Sequence, residues 1–140
     1  MSVRYFLDTN VFVYSLDSDE PQKASVAETL ITAGATTGLG AISYQVVHEF
    51  FNVATRRFRA NMTSTELERY FFRVLLPLMK VSPSPSLFLE ALDLHDRNRL
   101  SWYDALIVAA AIQGQCKTLY SEDLQHGRRF GDLIVENPFL

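Results

Sequence analysis

A single cysteine, Cys116, leaves the chain without an internal disulfide framework or a cysteine-based zinc site, and its expected place is that of a small buried residue. Long hydrophobic runs are missing too. The longest, Ala105 to Ile112, spans eight residues, far short of the ~20 that cross a bilayer. The chain does not open with a basic segment followed by an apolar one, so a soluble cytoplasmic protein with no membrane association is expected. Positive charge is scarce as well: 13 lysines and arginines stand against 16 acidic residues, for a net charge of −3. That balance does not suit a protein that grips long nucleic acid nonspecifically. Ten of the basic residues are arginine, grouped at Arg56, Arg57 and Arg59, at Arg69 and Arg73, at Arg97 and Arg99, and at Arg128 and Arg129. Arginine suits bidentate phosphate contact, although a solvated helix end is the preferred reading of each group taken singly. Neither an internal repeat nor a low-complexity segment is present.

What the chain does have is an ordinary globular composition, 48% hydrophobic and 21% charged. A length of 140 residues suits one domain, 1–140, with a complete core. Val3 to Leu7 reads as a strand, ended by Asp8-Thr9-Asn10, with Asn10 placed to cap the next helical segment. Acidic residues and Pro21 then announce a helix running to about Ile31, and Gly34 to Gly40 reads as loop. A second strand is expected at Leu39–Ile42, closed by Ser43, which is placed to cap a helix from Tyr44 to Arg59. Val46, Val47, Phe50, Val53 and Ala54 recur there at helical spacing, with Glu49 at the margin. Thr63 and Glu66 form a capping box for a helix from Ser64 to about Leu76. Prolines bracket a third strand at Leu78–Val81. Ser86 to Asn98 reads as an amphipathic helix with Phe88, Leu89, Leu92 and His95 close together, and Ala105 to Ile112 as a buried helix ended by Gly114. Lys117–Tyr120 and Asp132–Val135 complete the strands. Strands alternating with helices predict a three-layer α/β/α fold around a mainly parallel sheet of four to five strands.

In such a sheet, ligands bind beyond the carboxyl ends of the strands. Asp8 and Asp123 each follow a strand, Asp104 begins the buried helix, and Glu49 lies about two turns into a helix that leaves a strand end. All four can reach one rim. Clustered carboxylates repel and raise one another's pKa values, so the group calls for a cation. Oxygen ligands favour Mg²⁺, with Mn²⁺ also suited. His48, His95 and His126 are too scattered for a ligand set. Each acid has a local alternative: Asp104 in a capping box with Ser101, Glu49 paired with Arg56, Glu122 and Asp123 as turn residues.

Four motifs decide between these readings. FLDTNVFVY at the start, ISYQVVHEFFNV from Ile42, WYDALIVAAA from Trp102 and TLYSEDLQHG from Thr118 together resemble the PIN-domain ribonucleases, and most of all the VapC-type toxins of prokaryotic toxin–antitoxin pairs. The resemblance spans nearly the whole chain. It implies that Asp8, Glu49, Asp104 and Asp123 are the catalytic, metal-binding acids, with Asn10, Ser121 and Glu122 as supporting polar residues. Serine stands at position 121 where the family more often has threonine, and either hydroxyl can hydrogen-bond a carboxylate. No motif of the family matches Arg59 to Val81. The resemblance further implies an Mg²⁺- or Mn²⁺-dependent endoribonuclease with an RNA substrate, a VapB-type antitoxin as partner and a homodimeric state. Apolar residues near Phe50, Phe51, Phe71 and Phe72 offer the antitoxin a helix-binding surface, and core packing explains these aromatics as well. The alternatives are a housekeeping RNA-processing nuclease, a non-catalytic binding module of the same fold, and a phosphatase using a strand-terminal Asp. The last expects Asp-x-Asp, where this chain has Asn10.

Overall fold

The computed structural model describes residues 3–57 and 62–140. The arginine group at positions 56, 57 and 59 therefore lies in part outside the described residues. Six strands are found among the described residues: β1 (Arg4–Leu7), β2 (Gly40–Ser43), β3 (Met79–Val81), β4 (Cys116–Tyr120), β5 (Arg129–Phe130) and β6 (Leu133–Glu136). They form one sheet in the order β3-β2-β1-β4-β6-β5. Every pairing is parallel except β5 with β6. The helical elements are α1 (Thr9–Ser15), α2 (Pro21–Thr37), α3 (Tyr44–Arg57), α4 (Ser64–Tyr70), a π-helical turn at Phe71–Leu75, α5 (Leu76–Leu78), α6 (Pro85–Asn98) and α7 (Trp102–Gln113). Among the described residues, no helix is long and apolar enough to cross a membrane.

The topology makes the crevice. From β1 the chain passes through α1 and α2 to β2, and through α3, α4 and α5 to β3, stepping outward along the sheet. It then returns through α6 and α7 to β4, on the other side of β1. Right-handed crossovers place these two sets of helices on opposite faces, which gives the expected three layers. Helices α2 and α3 pack on β2 from one side, and α7 lies against β2 and β4. The direction of winding thus reverses between β1 and β4, and a crevice opens at the carboxyl ends of these two strands. Their floor is rigid: Phe6, Leu7 and Leu119 are fully buried, as are Ala105, Val108, Ala109 and Ala111 of α7, the helix expected to be buried.

Four local expectations are corrected. First, α2 does not stop near Ile31 but continues to Thr37, and Gly38 ends it at φ +76. Gly34 is a packing residue rather than a breaker, since a Cβ placed on it would lie 3.0 Å from the Cα of Gly40. Second, the buried stripe of α6 is Leu87, Ala91 and Leu94, whereas Phe88, Leu89 and Leu92 are exposed. Both stripes have helical spacing, and only the pose of the helix on the sheet distinguishes them. Third, Ser43 does not cap α3 with its side chain; its hydroxyl is buried with no hydrogen-bond partner among the described residues. Fourth, the antiparallel β5 was not expected. It is two residues long, too short for a periodic signal, and Gly131 at φ +62 turns it into β6.

Candidate active site

Strands β1 and β4 pair with Leu7 opposite Tyr120, so Asp8 and Ser121 leave the sheet side by side. The Asp8 N–H continues the ladder, donating to the Tyr120 carbonyl at 3.0 Å. Its side chain, not that of Asn10, caps α1: Oδ1 accepts from the Thr9 N–H at 2.7 Å. Oδ2 accepts from the Ser121 hydroxyl, also at 2.7 Å. Asp8 is 6% exposed and Ser121 is fully buried. Burial pushes the Asp8 carboxyl up to about 7, against the pull of those two hydrogen bonds, and the charges of Asp123 and Glu49 add to the rise. Loss of water therefore weighs more at Asp8 than the mutual repulsion expected from the sequence.

Asn10 lies one turn along the same edge and ties the two strand ends together. Its Nδ2 donates to Asp123 Oδ2 at 3.2 Å, and its Oδ1 accepts from the Glu122 N–H at 3.4 Å. The Ser121 hydroxyl also accepts from the Asp123 and Leu124 amides, which fixes the turn that carries Asp123. Glu122 is held differently. Tyr14 donates to it at 2.6 Å and Lys23 at 2.8 Å. Its partial burial opposes ionisation, but the bonds from Lys23 and Tyr14 and the Lys23 charge outweigh that and hold the carboxyl below its ordinary range. Among the described residues, Glu122 is thus already paired with a cation and its neighbour Asp123 is not.

Glu49 approaches from α3. Thr9 donates to its Oε1 at 2.6 Å, and Gln45, four residues earlier on the same helix face, lies 3.4 Å from its Oε2. The expected alternative partner, Arg56, instead donates to the Asn52 carbonyl. Asp104 sits in the first turn of α7, where the Ser101 hydroxyl accepts from its N–H at 3.2 Å. Neither Thr9 nor Gln45 stands out in the sequence as a site residue. Thr9 is flanked by Asp8 and Asn10, which do, and Gln45 is recognisable only once α3 is known to present positions 45 and 49 together. The histidines are engaged elsewhere: His48 against the Tyr44 ring, His95 with the Leu100 carbonyl, and His126 with the Asn137 amide.

Asp8, Glu49, Asp104 and Asp123 line one cleft of about 580 Å³, together with Thr9, Asn10, Gln45 and Glu122. Among the described residues, no three acidic, histidine or cysteine side chains stand close enough together to hold a metal ion by themselves. The cleft suits an ion that needs no enclosure. Mg²⁺ retains several waters and is typically held by one or two carboxylates plus phosphate oxygens of a substrate. Each oxygen of Asp8 accepts one hydrogen bond, which leaves a lone pair free on each. A buried carboxylate with raised pKa, beside others of like charge and lacking thiolate or imidazole neighbours, fits a hard divalent cation.

A family model for the PIN domain matches residues 5–129. The chain belongs to the PIN-domain family, whose members are generally nucleases. No curated protein matches the sequence significantly. Among solved structures, VapBC2 from Rickettsia felis, bound to a DNA fragment from its promoter, superposes with a TM-score of 0.66 at 21% identity, over 94% of this chain and 96% of that one. A toxin–antitoxin complex from Klebsiella pneumoniae gives 0.65 at 17%, over 96% and 97%. VapC20 from Mycobacterium tuberculosis, a Sarcin-Ricin loop cleaving toxin, gives 0.63 at 18%, over 85% and 89%. At these identities the likeness establishes the fold.

Proposed function

We propose that the protein is a single PIN domain acting as an Mg²⁺- or Mn²⁺-dependent endoribonuclease, the toxin of a toxin–antitoxin pair. The observation that carries this reading is the arrival of Asp8, Glu49, Asp104 and Asp123 at one cleft from four separate parts of the chain. Asp8, Asp104 and Asp123 would hold the cation, and Glu49 would either join them or orient the attacking water. A divalent ion bound there supplies positive charge to the phosphate and makes water more acidic. The chain's own residues do the positioning. Ser121 and the Thr9 amide aim Asp8 and favour its ionised form against the effect of burial, Asn10 holds Asp123 beside it, and Thr9 and Gln45 fix the two oxygens of Glu49. No side-chain nucleophile is required.

The toxin assignment draws support from the similar structures, two of which are toxin–antitoxin complexes. An acidic cleft attracts a basic side chain of a VapB-type antitoxin, which would block substrate. Phe51 and Phe71 line a shallow groove beside the exposed Phe72, a place for an antitoxin helix to pack, whereas Phe50 is core. A homodimer in a prokaryotic cytoplasm completes the reading. Asp8→Asn tests it. The substitution preserves shape and one acceptor oxygen, so the variant folds, and Mg²⁺-dependent cleavage of RNA, mapped to nucleotide position, should be abolished. Cleavage at the parent rate would overturn the assignment.

A further inference from the structure

Beside the acidic cleft lies a second cavity, of about 540 Å³, and Gln45, Glu49, Asn52 and Tyr103 border both. Its character is different: Val81, Pro83, Leu87, Phe88, Leu106 and Ala110 make it largely apolar. Ser43 and Gln45, two of its lining residues, each carry a side-chain oxygen that is buried with no hydrogen-bond partner among the described residues, Ser43 Oγ and Gln45 Oε1. Ser43 is 3% exposed. Buried polar groups are nearly always paired, and an orphan costs its full desolvation. The Gln45 amide is fixed in orientation, because its Nε2 faces the Tyr103 carbonyl at 3.2 Å and Glu49 Oε2 at 3.4 Å, both of which can only accept. Oε1 is therefore an acceptor awaiting a donor, and the Ser43 hydroxyl can donate or accept.

From this juxtaposition we infer that the cavity is a base-binding subsite, which takes the nucleobase of an unpaired nucleotide adjacent to the phosphate at the acidic cleft. The inference deepens the nuclease reading and rests on it for the phosphate's location. A nucleobase matches the lining: a flat apolar body with a polar edge carrying an N–H donor next to an acceptor. All four bases present that pattern on the Watson–Crick edge, and a base read there must be unpaired to enter. The exposed rings of Tyr44 and Tyr103 also line the cavity and offer surfaces for stacking. Gln45 connects the two sites, since the amide that would read the base also holds Glu49.

The single tryptophan provides the readout, because Trp102 stacks on Phe88 of the cavity at 6.4 Å. The protein is titrated with AMP, CMP, GMP and UMP in turn while Trp102 fluorescence is followed. The parent should give a saturable change with affinities that differ among the four. Ser43→Ala should weaken the preferred nucleotide by about 3- to 10-fold, the worth of one hydrogen bond, and flatten the ranking. It removes an orphan hydroxyl, so its melting temperature should equal or exceed the parent's. Tyr103→Ala should weaken all four nucleotides while keeping their order. The inference is overturned if no nucleotide gives a saturable response, if Ser43→Ala keeps the parent's affinities and ranking, or if the signal follows protein concentration alone, which would place a second copy of the chain in the cavity. Nucleotide binding with no cleavage of any RNA would instead remove the nuclease reading and leave the subsite standing.

Discussion

Thr9 shows how much of the site depends on side chains that carry no charge. Its hydroxyl donates to Glu49 Oε1 at 2.6 Å while its N–H donates to Asp8 Oδ1, so one residue positions two acids, one at a strand end and one on a helix. Partners of this kind are worth about 10- to 100-fold in metal affinity or activity. Thr9→Val keeps the backbone bond to Asp8 and the side-chain shape, and loses the bond to Glu49 alone. Steady-state cleavage should show kcat reduced by roughly that factor with KM little changed, and Thr9→Ser should restore most of the rate. A valine variant as fast as the parent would show that Glu49 needs no orientation. That the four acids could reach one rim was read from Asp8 and Asp123 after strands, Asp104 at a helix start and Glu49 about two turns into a helix, and only the resemblance of four motifs set this above each acid's local alternative. Thr9–Glu49 was not legible in the sequence, because it joins residues 40 apart whose meeting depends on how α3 lies over α1.

Elements were readable wherever a short apolar run met polar punctuation, as at β1, β3, β4, β6 and the capping box of α4. Reading failed where one residue type serves two purposes. Gly34 looks like a helix stop but is needed inside α2, because α2 and β2 approach each other closely at Gly34 and Gly40. A Cβ on Gly40 would stand 2.7 Å from the Cα of Gly34 and 3.0 Å from Leu78 Cδ2. Backbone cannot swing aside, so Gly40→Ala should push α2 off the sheet and destabilise the fold by about 1–3 kcal/mol, the usual cost of overpacking. Urea denaturation measures this as a lower midpoint with unchanged slope. Gly38→Ala meets no neighbour within 4 Å, yet its φ of +76 disfavours a side chain, so it should cost less, about 1 kcal/mol. Equal midpoints for Gly40→Ala and the parent would dismiss the close approach.

For the whole molecule, the buried carboxyl of Asp8 is a source of instability that a cation bound there would relieve. Asp8 titrates near 7 in the folded protein against an ordinary value of 3.8. Between those values the folded protein holds a proton that the unfolded chain has released. The stability tied to protonated Asp8 is therefore full below about 3.8 and is lost as the pH rises through about 7. Glu122 acts with the opposite sign, since its carboxyl is held below the ordinary value of 4.5, and its stabilisation fades only as the pH falls beneath that value. The two windows separate, so melting between pH 5 and pH 8 isolates Asp8. Without divalent ions, the melting temperature should fall across this range, and the fall should be smaller in Asp8→Asn. Added Mg²⁺ should raise the melting temperature at pH 8 more than at pH 5, because the cation and the proton compete for one carboxylate. In Asp8→Asn this Mg²⁺ effect should shrink at pH 8, and an equal response in variant and parent would move the cation away from Asp8.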